Sequence, residues 1–191
     1  LFAIAKIVGK INTMHFSVKA DYDSWGVTNV IKEFSKNKKY LEAADLALVK
    51  PVVAQFAKQN FSAFKKSVVH GDFQREHVLK SSSDRYCVID LGCLAYDVSI
   101  FDLGIFIGEF CIDIESSRLR KILKKIVDAY TSINPLSDIE IKSLPIIINA
   151  HLAAYLVKTS YLIRGERDKS SQTIHWRDFS RRGLRKYQSL N

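Results

Sequence analysis

Apolar side chains recur at helical spacing over residues 1–16, where Phe2, Ile4, Ile7, Val8, Ile11 and Met14 set one face of an amphipathic helix against a core. The segment Asp21-Tyr22-Asp23-Ser24-Trp25-Gly26 breaks that pattern, and Thr28 or Asn29 is placed to cap the next helix. A helical pattern runs again from about Tyr40 to Lys66, interrupted or started afresh at Pro51, whose ring removes a backbone donor. Then the texture changes. Val68-Val69 and Val78-Leu79 are short apolar runs, and His70-Gly71-Asp72-Phe73 between them is turn-like. Ser81-Ser82-Ser83-Asp84 reads as a turn before the strand-like Tyr86-Cys87-Val88-Ile89. From Ser99 the helical pattern returns over roughly 99–111, 115–131, 137–164 and 172–188, with breaks at Asn134-Pro135 and Gly165. The prediction is a mainly α chain (α+β), with two tiny strands in a hairpin inside a helical body.

Composition narrows this only a little. With 191 residues, 47% hydrophobic and 26% charged, the chain has ample core and falls outside the disordered, collagen-like and low-complexity classes. No stretch reaches about 18 uninterrupted apolar residues, so no membrane span is predicted. Cys87, Cys93 and Cys111 are an odd count without a CxxC pair. They read as buried thiols in a reducing, cytoplasmic setting, which excludes a disulfide framework and a zinc site. The formal charge of +9 disfavours a polycationic ligand and keeps nucleic acid, an anionic membrane surface or an anionic small molecule in play. The chain opens at Leu1, inside a helical pattern, with neither a Met start nor a signal-peptide n-region, and reads as a fragment or processed chain.

The candidate chemistry lies in the strand-like segment. Five residues after Asp72 comes His77, able to bind a metal, and eighteen residues after Asp72 comes Asp90, in Asp90-Leu91-Gly92 at a strand end. Phosphoryl transfer from a nucleotide asks for three such groups: a carboxylate that orients and deprotonates the acceptor hydroxyl, and two ligands that hold Mg²⁺ against the phosphates. The spacing of His70-Gly71-Asp72, His77 and Asp90-Leu91-Gly92 overlays the H-R-D-x-x-x-x-N and D-F-G blocks of protein kinases.

Together with Val78-Leu79, Cys87-Val88-Ile89-Asp90 and Phe101-Asp102-Leu103-Gly104, these blocks resemble the aminoglycoside phosphotransferase and choline kinase-like family, which shares the protein-kinase fold. The separation of twelve between Asp90 and Asp102 is also similar to that family's. The resemblance covers about residues 68–110 directly. It implies a single protein-kinase-like C-terminal lobe over 1–191, with catalytic hairpin and loops at about 67–104 and a helical substrate region at about 105–191. Asp72 would be the catalytic base, and His70 would brace its loop. Asp90 and His77 would be the metal ligands for Mg²⁺ on ATP. Asp102 would orient the loop, and Gly71 and Gly92 would supply its tight backbone. His77 departs from the family, which usually has Asn there, an oxygen ligand suited to hard Mg²⁺.

The implied N-terminal lobe is not legible in this chain. Only Gly9 and Gly26 precede His70, no G-x-G-x-x-G occurs, and Ala3-Ile4-Ala5-Lys6 matches a strand lysine only superficially because its apolar residues continue at helical spacing. The lobe covering the phosphates is therefore expected upstream of Leu1. In the family the acceptor site is built largely after residue 105; the basic cluster Arg118, Arg120, Lys121, Lys124 and Lys125 there points away from an aminoglycoside, toward a neutral or anionic hydroxyl compound. A catalytically weak kinase-like scaffold is the alternative that His77 suggests. A nucleic-acid binder is a third class, motivated by nine basic against three acidic residues from Lys158 to Asn191, interleaved with Trp176, Phe179 and Tyr187. With no nucleic-acid motif present, that reading is disfavoured.

Overall fold

The computed structural model describes residues 1–18, 21–82 and 85–189. Ser83 and Asp84 of the expected second turn, and Asn191 of the basic tail, lie outside them. In chain order the helices are α1 (Phe2–Ile11), α2 (Val30–Asn37), α3 (Ala43–Phe56), α4 (Ile100–Phe110), α5 (Ser116–Thr131), α6 (Asp138–Arg164) and α7 (Ser171–Gln188). The strands are β1 (Lys66–Val69), β2 (Val78–Lys80), β3 (Tyr86–Val88) and β4 (Ala95–Val98). The chain forms two compact units: residues 1–22 with 61–144, and residues 23–60 with 145–191. Helix α6 contributes to both, changing from one to the other between Leu144 and Pro145.

In the first unit, α1 buries Ile4, Ala5, Val8 and Ile11 and packs on α5. The two backbones approach so closely that a Cβ on Gly9 would stand 3.1 Å from Ile133 Cβ and 3.2 Å from the Tyr130 carbonyl oxygen. The expected helix over 1–16 stops at Ile11. The Asn12 amide makes the last i→i−4 bond, to the Val8 carbonyl at 3.0 Å, the amides of Thr13 and Met14 turn to carbonyls three residues back, and Met14 and Phe16 are exposed. Ala3–Lys6 is helical, as its spacing predicts.

The expected hairpin is β2–β3, with Val78 opposite Val88 and Lys80 opposite Tyr86. A second antiparallel pair, β1–β4, has no counterpart in the sequence reading: Lys66 stands opposite Val98, and Val69 opposite Ala95. Asp97 is in β4 opposite Ser67. Helix α4 is buried at every position but its last, its all-round apolar sequence marking a core helix. Of the cysteines only Cys111 is buried; Cys93 is half-buried and Cys87 exposed, on a strand with only one neighbour, so the expectation of buried thiols fails at those two.

In the second unit, the 3₁₀ turn Val27–Asn29 leads into α2. Asn29 sits at the capping position, yet its amide bonds the Asp23 carbonyl at 2.8 Å and makes no cap. Helix α3 runs through Pro51 unbroken. Pro51 and Ala47, the residue whose carbonyl loses its helical partner, are both exposed, so that face of the helix is open to solvent, while Val49, Val52, Val53 and Phe56 hold the buried face. Beyond Phe56 the expected helix gives way to turns. Arg181 of α7 clamps α3 through Asp45, with both distances 2.7 Å, and Glu42 at 2.9 Å. Trp176 and Phe179 are edge-to-face with one another, and Trp176 with Tyr155. The aromatics interleaved with basic residues in α7 therefore serve the core.

Helix α6, at 27 residues, is long and apolar enough to cross a membrane by length and composition, and 72% of its most apolar window is buried inside the protein. Core packing accounts for that window.

Candidate active site

The site is built on the loop between β1 and β2. Ser67, Val68 and Val69 of β1 are buried, which delivers His70 to the interior with none of its surface exposed. β4, paired along β1, runs directly into α4 and sets Asp102, in the first turn of that helix, beneath the loop. Ser99 ties this junction to the start of β1, donating through its hydroxyl (3.0 Å) and its amide (2.9 Å) to the Lys65 carbonyl.

Asp102 is wholly buried. Its Oδ2 accepts the His70 amide at 2.7 Å and the Asn12 side-chain amide at 2.8 Å, and its Oδ1 accepts the Gly71 amide at 3.0 Å. Burial pushes its carboxyl above the usual carboxylate range, opposed by the hydrogen bonds from Gly71, His70 and Asn12. Gly71 has φ +81°, and a Cβ there would lie 2.5 Å from the Cys93 carbonyl oxygen, so the turn demands glycine. Gly92 differs: its φ is not positive, and a Cβ would meet only Asp90 Oδ1, at an ordinary 3.4 Å. The strained backbone near it belongs to Asp90, at φ +61° and ψ +69°, a left-handed conformation costing a non-glycine residue on the order of 1 kcal/mol.

His70 braces the loop by fixed proton placement. The Asp72 amide donates to its Nδ1 at 3.3 Å, so Nε2 carries the proton and donates to the Ile89 carbonyl at 3.0 Å. One ring thus links Asp72 to the residue before Asp90. The Gln74 amide holds Asp72 Oδ1 at 2.6 Å, orienting a carboxylate that is 21% accessible. Phe73 points inward, edge-to-face with His70 and Phe106. Arg75 closes the loop's far side against α4, bonding the Glu109 carbonyl at 2.6 Å and Asp113 at 2.9 Å.

His77 lies between the two acids. Its Nδ1 donates to the Asp72 carbonyl at 2.8 Å and lies 3.6 Å from Asp72 Oδ2, while its Nε2 lies 3.5 Å from Asp90 Oδ2. All four residues singled out by spacing are thereby brought to one place, with Asp102 behind them. Among the described residues no three His, Cys, Asp or Glu side chains form a metal cluster of their own. The Asp90 carboxylate is an oxygen ligand of the kind Mg²⁺ takes, and His77 Nε2 is a softer donor; the two could hold a divalent cation between them.

Three residues of this arrangement escape the sequence reading. Gln74 lies inside the motif, and Asn12 and Tyr130 are a polar residue closing α1 and an aromatic in α5. The Tyr130 hydroxyl donates to Asn12 Oδ1 at 2.8 Å, and burial holds its own proton well above the usual phenol range. The signal that could find Asn12 is its place four residues after Val8, a polar residue on the apolar face of α1.

Comparison with known proteins bears on this geometry. The phosphotransferase enzyme family matches residues 20–135. The homoserine kinase of Methylobacillus glycogenes is 27% identical over 84 residues, 44% of this chain and 26% of that protein. The homoserine kinase of Polaromonas naphthalenivorans (strain CJ2) is 27% identical over 90 residues, 47% of this chain and 28% of that protein. Among solved structures, a choline/ethanolamine kinase family protein from Mesorhizobium loti superposes with a TM-score of 0.70 at 13% identity, over 98% of this chain and 65% of that one. The choline kinase LicA from Streptococcus pneumoniae gives 0.65 at 16% identity, over 96% and 62%. The amicoumacin kinase hAmiN, solved with AMP-PNP and Ca²⁺, gives 0.64 at 12% identity, over 100% and 62%. The chain thus spans about a quarter of the homoserine kinases and under two thirds of the solved kinases, and its fold is that of a kinase-like lobe.

Proposed function

The chain belongs to the phosphotransferase enzyme family, and we propose that it is the catalytic lobe of a small-molecule kinase transferring the terminal phosphoryl group of ATP to a hydroxyl of a neutral or anionic metabolite. The observation that carries this reading is the placement of His77 between the Asp72 and Asp90 carboxylates, at 3.6 and 3.5 Å. Asp72, oriented by Gln74 and by the hydrogen bond from its backbone N–H to His70 Nδ1, accepts the proton of the acceptor hydroxyl as the oxygen attacks. Asp90 and His77 would hold a magnesium ion. When bound, that ion neutralises charge on the transferring phosphates and aligns them. The lobe covering the phosphates comes, in this proposal, from sequence N-terminal to Leu1.

The test compares residues 1–191 with the N-terminally extended protein, offering Mg-ATP and a panel of hydroxyl acceptors that begins with homoserine. The extended protein is expected to form ADP in an acceptor-dependent way, while residues 1–191 alone turn over negligibly. Tight Mg-ATP binding by residues 1–191 alone, read by calorimetry, contradicts the division into two lobes. An extended protein without acceptor-dependent ADP formation supports the second reading, a kinase-like scaffold, for which the imidazole at His77 is the motivating feature.

A further inference from the structure

A buried carboxylate needs compensation for its lost hydration, and among the described residues no Lys or Arg side chain is paired with Asp102. Its compensation arrives through a chain of side chains. The Lys65 ammonium donates to Asn134 Oδ1 at 2.7 Å, and Asn134 Nδ2 donates to the Tyr130 hydroxyl at 2.8 Å. That hydroxyl donates to Asn12 Oδ1 at 2.8 Å, and Asn12 Nδ2 donates to Asp102 Oδ2 at 2.8 Å. Every donor points the same way, from cation to anion. The ends dictate this polarity: an ammonium can only donate and a carboxylate oxygen accepts, so each amide and hydroxyl between them has one orientation. Asn134, Tyr130 and Asn12 are 2, 0 and 1% exposed, whereas Lys65 reaches solvent. Aligned hydrogen bonds in a low-dielectric interior polarise one another, so each bond of the chain strengthens the next, down to the one on Asp102.

We propose that Lys65, Asn134, Tyr130 and Asn12 are positioning residues for the phosphoryl-transfer site. They act together through Asp102 to hold the His70 and Gly71 amides, and so to fix Asp72. Asn12 also donates to the Val68 carbonyl at 3.0 Å, gripping the strand that enters the loop. The catalytic turn is in this way bonded to the α5–α6 connection, where Lys65 also holds the Pro135 carbonyl at 2.9 Å. The assignment rests on the phosphotransferase reading for its kinetic consequence, but not for its structural one.

The experiment uses Tyr130→Phe, which keeps the ring and interrupts the chain, and reads two quantities in the N-terminally extended protein. Amide hydrogen exchange at residues 70–72 should accelerate relative to α4 and α5. In the acceptor assay, kcat should fall about 10- to 100-fold with nucleotide KM changed by less than about twofold, the signature of a misplaced catalytic group. Lys65→Met, at the exposed end, should move both quantities in the same direction by less, and it decides the matter if Tyr130→Phe does not fold. Accelerated exchange in a protein with no kinase activity leaves the positioning role standing and removes the kinase reading. Unchanged exchange at 70–72, or a change shared equally by α4 and α5, overturns the proposal.

Discussion

His77 Nε2 faces Asp90 Oδ2 across 3.5 Å. Because the Asp72 carbonyl takes the Nδ1 proton at 2.8 Å, Nε2 is the ring nitrogen left to face that carboxylate. In the proposed function a divalent cation would lie between these two groups. An imidazole nitrogen favours softer ions, whereas an amide oxygen favours Mg²⁺. His77→Asn should therefore raise the ratio of kcat/KM with Mg²⁺ to that with Mn²⁺ in the extended protein. His77→Leu should weaken metal-dependent nucleotide binding by about tenfold or more. An Mg²⁺/Mn²⁺ ratio identical in wild type and His77→Asn would remove His77 from the metal site.

Asp72→Asn keeps the shape of the side chain and removes the carboxylate proposed as the base. The expected loss in kcat is about 10²- to 10⁴-fold, with nucleotide affinity within a few-fold of wild type. Single-turnover phosphoryl transfer, compared with calorimetric nucleotide binding, separates the two quantities. Near-normal turnover would sink Asp72 as the base.

Gly71→Ala forces a side chain into a left-handed turn with its Cβ 2.5 Å from the Cys93 carbonyl. We expect a loss of about 1–3 kcal/mol in urea unfolding. Gly92→Ala is the control: its Cβ meets an ordinary contact, and its effect should stay within about 0.5 kcal/mol. Equal midpoints for the two variants would contradict the geometry of the turn.

Burial holds the folded Asp102 carboxyl above its ordinary 3.8. The native protein then keeps a proton there over a pH range in which the unfolded chain has released it. This group's contribution to stability is therefore present at acid pH and is lost as pH rises from 3.8 through the folded value. Asp102→Asn removes the titration and sets an amide donor among three donors, lowering stability throughout. The advantage of wild type over Asp102→Asn should narrow as pH rises through that window and stay constant above it. A widening advantage, measured by denaturant unfolding from pH 3 to 8, reverses the sign and refutes the assignment.

The helices from α4 onward lie within a residue or so of where their apolar spacing and the breaks at Asn134-Pro135 and Gly165 place them. The motif residues also converge, because His70, Asp72, His77 and Asp90 follow one another along a short stretch whose turns are local. Non-local pairing hides the rest. β4 is a four-residue strand with Tyr96 60% exposed, and its partner β1 lies before the entire catalytic hairpin, so no periodicity announces it. Pro51 reads as a break because sequence does not show that its face of α3 meets water. Asn12 and Tyr130 are far from Asp102 along the chain, and only folding reveals what their polar atoms bond.

The way the chain alternates between its two units decides how it can be taken apart. It crosses at residues 22/23, 60/61 and 144/145, the last crossing inside α6, so neither unit is a continuous stretch of polypeptide. A protease must cut at all three places to separate them, and each unit would then be left as two noncovalent pieces. Expressing either unit as one molecule calls for rejoined ends rather than a shortened gene.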